Sequence, residues 1–245
     1  MGIPCIANGM VLAAGLGLRM RPITEKMPKA LVPVAGRTLI DRAIDHLAAA
    51  GVGKIVVNLH HLGAMVERHL KHRAGPEIVF SHEPERLETG GGVANVLPLL
   101  GSGPFFVANS DVLWLNGPTS ALERMMERWD DQTMDALLLL HNTVDAYGYE
   151  GDGDFLADPL GRLTRRAERE IVPYLFTGVQ ILHPRLFEDA PTGKYSLNVL
   201  YDRAIEKERL YGIVHDGEWF HIGTPDGLAE AEAFLRDRFP GKMRR

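Results

Sequence analysis

The chain has almost no sulfur chemistry to offer. One cysteine, Cys5, stands among 245 residues, so no internal disulfide can form, and no Cys/His spacing of the metal-binding kind occurs. No apolar run approaches the ~18 residues that a membrane-spanning helix requires. The opening residues, MGIPCIANG, place no basic segment ahead of apolar ones, which argues against a signal peptide. Positive charge is not in excess either. The formal net charge is −5, whereas general nucleic-acid binders and membrane-surface proteins want a basic face. No nucleic-acid or membrane partner is therefore expected, and the cytoplasm is the expected compartment. No linker rich in Ser, Pro or Gly and no internal repeat divides the chain. What remains is 45% hydrophobic and 24% charged, an ordinary globular balance with enough chain to bury a sizeable core.

Apolar periodicity then supplies elements. Met10–Leu12, Lys54–Asn58, Glu77–Ser81, Pro104–Asn109 and Asp135–His141 read as strands, the last covered on both faces. Tyr174–His183 and Trp219–Ile222 follow later. Thr38–Ala50 reads as a helix with Ile40, Ile44 and Leu47 on one face and Gly51 as its stop. Ala64–His72, Gly92–Leu100, Thr119–Asp130 and Ser196–Glu208 are further helices. In the third of these, Met125 and Met126 are expected to fill core. Thr224-Pro225 opens the last helix as N-cap and N1. Asp158-Pro159-Leu160-Gly161 reads as a turn between short strands. Alternating strands and helices predict an α/β fold, a three-layer α/β/α sandwich around a mostly parallel, Rossmann-like central sheet. One domain over residues 1–245 is expected.

The densest stretch is Met10–Gly36, MVLAAGLGLRMRPITEKMPKALVPVAG. A short strand ending at Leu12 feeds the turn Ala13-Ala14-Gly15-Leu16-Gly17, and Arg19 and Lys29 follow. Glycines let backbone N–H groups approach an anion that a Cβ would hold off. The arginine is a planar fork of donors and the lysine a mobile point charge, both suited to phosphate oxygens. Neither common nucleotide loop is present. A dinucleotide fingerprint needs a small residue where Met20 stands, and the Gly-Lys-Ser/Thr of a Walker loop is missing.

The run Gly15, Gly17, Arg19, Pro22, Thr24, Pro28, Lys29, Leu31, Pro33, Val34 and Gly36 closely resembles the signature GxGxRxxPxTxxxPKxLxPVxG of the sugar-1-phosphate nucleotidyltransferases. The segment Glu88-Thr89-Gly90-Gly91-Gly92 looks most like the short bacterial N-acetylmuramate 1-phosphate uridylyltransferases, whereas guanylyl-transferring relatives more often carry Gly-Thr-Ala-Gly. The resemblance implies a nucleotidyltransferase or glycosyltransferase-A type of fold, with residues 10–140 binding nucleotide and 141–245 binding sugar phosphate. It implies transfer from an NTP, with UTP expected, to a sugar 1-phosphate, with N-acetylmuramic acid 1-phosphate expected. The products are an NDP-sugar for cell-wall recycling and pyrophosphate.

On that resemblance, Leu12, Ala13, Ala14, Gly15, Gly17, Arg19, Lys29, Thr89, Gly90, Gly91 and Asn109 bind nucleotide. Arg19, Lys29 and Asp111 are catalytic, and Asp154, Thr177, Gly178 and Asn198 face the sugar phosphate. Asp111, at the end of a buried strand, is the metal carboxylate, with Mg²⁺ as the expected ion and Mn²⁺ as the alternative. Ser110 replaces the usual glycine before it. His221 stands where relatives carry a second metal aspartate, in Trp219-Phe220-His221-Ile222-Gly223-Thr224. It either supports a phosphate or water, or ligates a softer ion, or marks altered activity; the first is preferred, since Mg²⁺ often takes only one or two carboxylates plus phosphates. Arg165-Arg166-Ala167-Glu168-Arg169 lacks the sugar-phosphate lysine of many relatives, leaving either an arginine in its place or a solvated charge run. His60 and His61 are candidates for the border of the pocket or ordinary surface histidines. Two other readings stay open: a sugar- or choline-phosphate transferase using GTP or CTP, and a non-catalytic nucleotide-sugar binding domain. The oligomeric expectation is a monomer or small homo-oligomer.

Overall fold

The computed structural model describes residues 5–240, so the reading of the extreme N-terminus as free of a leader lies partly outside the described residues. The chain runs β1 (Asn8–Leu12), β2 (Pro33–Val34), β3 (Arg37–Thr38), α1 (Leu39–Ala49), β4 (Lys54–Leu59), α2 (Gly63–Leu70) and β5 (Glu77–His82). It continues through α3 (Glu88–Leu100), β6 (Phe105–Asn109), β7 (Val112–Leu115), α4 (Ala121–Arg128) and β8 (Ala136–Asn142). The last part comprises β9 (Phe155–Ala157), β10 (Leu163–Arg165), β11 (Tyr174–Leu182), α5 (Asn198–Glu206), β12 (Leu210–Val214), β13 (Glu218–His221) and α6 (Pro225–Arg238).

In the main sheet β6, β1, β4 and β5 lie side by side and parallel. Beyond β6 the direction changes, because β11 runs antiparallel to both β6 and β8, while β12 pairs with β8 in parallel. The alternation of each strand sends side chains to two cores. Val11, Ile55, Val57 and Phe106 pack with α1, α2 and α4 on one face, and Met10, Val56, Phe105 and Val107 pack with α3 and α5 on the other. The result is the three-layer α/β/α arrangement. Met125 and Met126 are buried in the first core, as their spacing predicted.

Helix α1 illustrates why these elements form. The Thr38 hydroxyl accepts from the Asp41 N–H at its start, and Ile40, Ala43, Ile44 and Leu47 make one fully buried stripe. Each large side chain on that stripe contributes roughly 1.5–3 kcal/mol by leaving water. Gly51, at φ +89°, ends the helix in the left-handed conformation. Thr224 caps α6 by accepting from the Gly227 N–H, with Pro225 at the first helical position. The turn at 158–161 joins β9 to β10, which pair antiparallel.

The structure departs from the sequence reading in several elements, among them the short β2–β3 pair, α3, β7 and β12. Helix α3 begins at Glu88, four residues before the expected Gly92, because tertiary contacts override the poor helix propensity of its glycines. The N–H groups of Gly90 and Gly91 both donate to the Tyr195 carbonyl. Strand β7 follows Asp111 directly and pairs with β13, and β12 completes the sheet next to β8; neither was anticipated. The pairing of β7 with β13 matters most, since it sets His221 opposite Val112 and therefore beside Asp111.

Candidate active site

The carboxyl ends of β1, β4 and β6 open into one cleft of about 550 Å³. Such crevices are where open parallel sheets bind ligands. Leu12, Ala13, Ala14, Gly15, Gly17, Arg19, Lys29, Thr89, Asn109 and Asp111 all line it. The turn after β1 is built rather than loose. Gly17 has φ +62°, and a Cβ there would lie 2.9 Å from Thr24 Cγ2 and 3.1 Å from Lys29 Cβ. The Thr24 hydroxyl donates to the Gly17 carbonyl at 2.8 Å, locking the turn against the segment that carries Lys29. Gly15 is different: a Cβ would meet nothing within 4 Å, so the fold itself does not demand a glycine there. Ala13 donates its N–H to Asn58 Oδ1 at 2.7 Å. Among the described residues, the N–H groups of Ala14, Gly15, Leu16 and Gly17 have no hydrogen-bond partner, and all four residues line the cleft.

Across the cleft, Lys29 Nζ donates to Asp111 Oδ2 at 2.8 Å, with the two side chains 11% and 35% exposed. Burial alone would raise the Asp111 carboxyl. The Lys29 ammonium and its hydrogen bond, helped by His221, outweigh that and hold it below the usual carboxylate range. His221 is pushed down, first by burial and then by Lys29 and Arg19, against the pull of Asp111. A neutral imidazole follows at pH 7, and its Nε2 lies 3.3 Å from Arg19 Nη2, so the guanidinium donates and the ring accepts. Gly223 makes room for this ring, since a Cβ there would lie 2.1 Å from Nε2. Ser110 is no casual replacement for glycine. It is 5% exposed, and its hydroxyl donates to the Leu12 carbonyl at 2.8 Å, tying the end of β6 to the end of β1.

The donor set fits a hard ion in part. Asp111 supplies carboxylate oxygen, but among the described residues no group of three His, Cys, Asp or Glu side chains is gathered to hold a metal. An ion here would take most of its ligands from phosphates and water, which suits Mg²⁺.

The other expected residues are placed elsewhere. Gly90 and Gly91 do not line the cleft; a Cβ at Gly90 would lie 2.4 Å from the Tyr195 ring and one at Gly91 2.1 Å from the Gly193 carbonyl. The close approach those glycines permit is to the protein's own chain. Thr177 is fully buried, its hydroxyl donating to the Leu139 carbonyl at 2.7 Å. Gly178, at φ +87°, packs on the Asn109 side chain where β11 shifts register. Asp154 Oδ2 accepts from the Phe176 N–H at 2.8 Å, and Asn198 is exposed at the first position of α5. Arg165 pairs with Asp202 and lies over the Phe155 ring, and Arg166 Nη1 is 3.5 Å from Asp152. His60 Nδ1 lies 2.8 Å from the Glu83 carbonyl, and neither it nor His61 lines the cleft.

Sequence reasoning missed Asn58, Arg86, Glu88 and Ser196, which line the cleft as well. Asn58 closes a predicted strand, a position where a polar side chain signals the sheet's ligand-binding edge. Glu88 adopts φ +62°, which side-chain-bearing residues rarely do, and no local pattern announces it.

A glycine turn with free N–H groups, two fixed cations and one carboxylate at the edge of a parallel sheet is the equipment of a protein that handles polyphosphates. Comparison with known proteins agrees. The family model "Nucleotidyl transferase" matches residues 8–238, and the chain belongs to the sugar-1-phosphate nucleotidyltransferases. It is 42% identical to the N-acetylmuramate alpha-1-phosphate uridylyltransferase of Caulobacter vibrioides, over 93% of this chain and 96% of that one. It is 36% identical to the enzyme of that name from Neisseria meningitidis serogroup B, over 92% and 97%. The fold matches a UDP-glucose pyrophosphorylase solved with UDP-glucose, at TM-score 0.77 and 19% identity over 95% of this chain and 99% of that one. Among the described residues, no helix is long and apolar enough to cross a membrane.

Proposed function

We propose that this nucleotidyltransferase moves a uridylyl group from UTP to N-acetylmuramic acid 1-phosphate, giving the UDP-sugar and pyrophosphate. The observation that carries the nucleotidyl part is the cleft lined together by Lys29, Asp111, Arg19 and residues 14–17, whose N–H groups have no partner among the described residues. The uridylyl and muramate parts rest on the two relatives of that name, which this chain matches over nearly its whole length.

A sugar-phosphate oxygen attacks the α-phosphorus in line, forming the new P–O bond as the bond to the β-phosphate oxygen breaks, and pyrophosphate carries away the electron pair. The nucleophile is already an anion, so the chain has no need of a base. Its task is to align the reactants and to neutralise like charges. The 14–17 amides and Arg19 hold the β- and γ-phosphates, and Lys29 releases Asp111 to bridge the α-phosphate and the incoming phosphate. Asp111 and the phosphates would hold Mg²⁺, which when bound withdraws charge from the phosphate oxygens. His221 holds Arg19 in place. Residues 10–140 serve the nucleotide and 141–245 the sugar phosphate.

The test is pyrophosphate release with each of UTP, CTP, GTP and ATP against a panel of sugar 1-phosphates and choline phosphate, with Mg²⁺. UTP with N-acetylmuramic acid 1-phosphate should exceed every other pair by at least about 100-fold in kcat/KM. A higher rate with another pair would replace the substrate assignment, and NTP binding without release would make the chain a binding domain.

A further inference from the structure

The three glycines at the start of α3 have different neighbours. Gly90 and Gly91 face the 193–196 segment, but Gly92 faces inward, where a Cβ would lie 3.0 Å from Glu83 Oε1 and 3.1 Å from Asn58 Nδ2. Those two residues are 4% and 2% exposed. Asn58 Nδ2 donates to Glu83 Oε1 at 2.8 Å, and the Leu87 N–H donates to Glu83 Oε2 at 3.0 Å. Asn58 Oδ1 in turn accepts from the Ala13 N–H at 2.7 Å. A continuous chain of donors and acceptors thus runs from the turn after β1, through the ends of β4 and β5, to the residue before Glu88 and Thr89.

The polarity of this chain is not symmetric. A carboxylate only accepts, so Glu83 can take a hydrogen from Asn58 and another from Leu87 at once. Because it accepts, it obliges the Asn58 amide to present Nδ2 toward it and Oδ1 toward Ala13. A glutamine at 83 would have one acceptor and one donor for two donating neighbours. Either the Leu87 N–H would face an N–H, or Asn58 would flip and set its own N–H against that of Ala13. Buried mismatches of that kind are costly, and the backbone moves to relieve them.

We infer that Glu83 is a positioning residue for the nucleotide: acting through Asn58, it fixes the phosphate-side turn and the 87–89 segment of the cleft in one mutual register. Glu83 is not among the residues that line the cleft, whereas Asn58, Ala13, Glu88 and Thr89 are. The inference rests on the cleft holding a nucleoside triphosphate, not on which base or sugar is used. It also accounts for Gly92, which leaves the space that the pair fills.

The test has two readouts. In the nucleotide-free protein, amide hydrogen exchange at Ala13 or Leu87 should accelerate by at least about tenfold in Glu83→Gln, while neighbouring β1 and β4 amides keep their protection. Combining Asn58→Asp with Glu83→Gln moves the carboxylate one place along and restores every donor–acceptor match, so protection at both amides should return. Gly92→Ala, which presses on the pair from α3, should loosen the same two amides. In pyrophosphate-release assays with the protein's preferred NTP, Glu83→Gln should raise KM for the NTP at least about tenfold and leave KM for the sugar phosphate within about twofold. Mere loss of folded protein would lower kcat alone. Unchanged exchange at both amides in Glu83→Gln and Gly92→Ala, or an unchanged KM for the NTP, overturns the inference. If wild type releases no pyrophosphate with any NTP, the proposed reaction fails, and the exchange data still decide the relay.

Discussion

The two halves of this molecule treat their polar groups in opposite ways. At the ends of the parallel strands, the N–H groups of Ala14 to Gly17 have no partner among the described residues, and Arg19, Lys29 and Asp111 line the same open cleft. In the half built on antiparallel β8, β9 and β11, three of the four residues expected at the sugar phosphate are engaged by the fold, and the fourth, Asn198, is exposed. Thr177 serves the Leu139 carbonyl, Asp154 serves the Phe176 N–H, and Gly178 accommodates Asn109. Strands that end together at one edge of a sheet expose their termini to a shared crevice, whereas hairpin strands return and satisfy one another. Polar residues of the first kind are open to a ligand; those of the second kind are tied to neighbouring strands.

That contrast breaks first at Lys29. Lys29→Ala removes the cation and leaves Asp111 without its ion-pair partner, so turnover should fall at least about 100-fold with circular dichroism unchanged. A near-normal rate would remove Lys29 from the mechanism. The glycine turn sharpens the contrast from within. Gly17→Ala sets a Cβ 2.9 Å from Thr24 Cγ2 and 3.1 Å from Lys29 Cβ at φ +62°, so it should cost about 1–3 kcal/mol of stability and about tenfold or more in kcat. Gly15→Ala meets nothing within 4 Å and should melt as wild type does, yet raise KM for the NTP. Equal melting losses in both would mean that the turn is glycine-rich for folding alone. The smallest effect on turnover belongs to the other half. Thr177→Val should lower Tm by roughly 2–6 °C through about 1–2 kcal/mol of lost hydrogen bonding, with kcat within about twofold of wild type. A collapse in kcat at unchanged Tm would place Thr177 at the substrate after all.

Much of the first half could be read directly from the chain because local signals and tertiary structure agree there. The apolar stripe Ile40, Ile44 and Leu47 predicted α1, Gly51 its end, and the strand–glycine–cation order predicted a cleft that Arg19, Lys29 and Asp111 do share. What could not be read depended on contacts distant in sequence. Glycines 90–92 look like a ligand loop, yet two of them are required by residues 193–195, about a hundred positions later. Strand β7 follows directly on the turn at Ser110 and Asp111, and only its pairing with β13 reveals that His221 stands beside Asp111, within reach of Arg19. The antiparallel setting of β11 against β6 is equally silent, since an apolar strand reads alike in either direction. Glu83 and Asn58 are single polar residues at strand ends, and their bond exists only because β4 and β5 are neighbours.

A glycine turn, two cations and one acid are proposed to grip a triphosphate. Calorimetric titration of UTP, CTP, GTP and ATP into the full chain with Mg²⁺ tests it most directly. Saturable one-to-one binding of UTP, weakened at least about tenfold by Arg19→Ala, is the predicted result. No association of any nucleoside triphosphate, with Mg²⁺ or Mn²⁺, would contradict the account at its base.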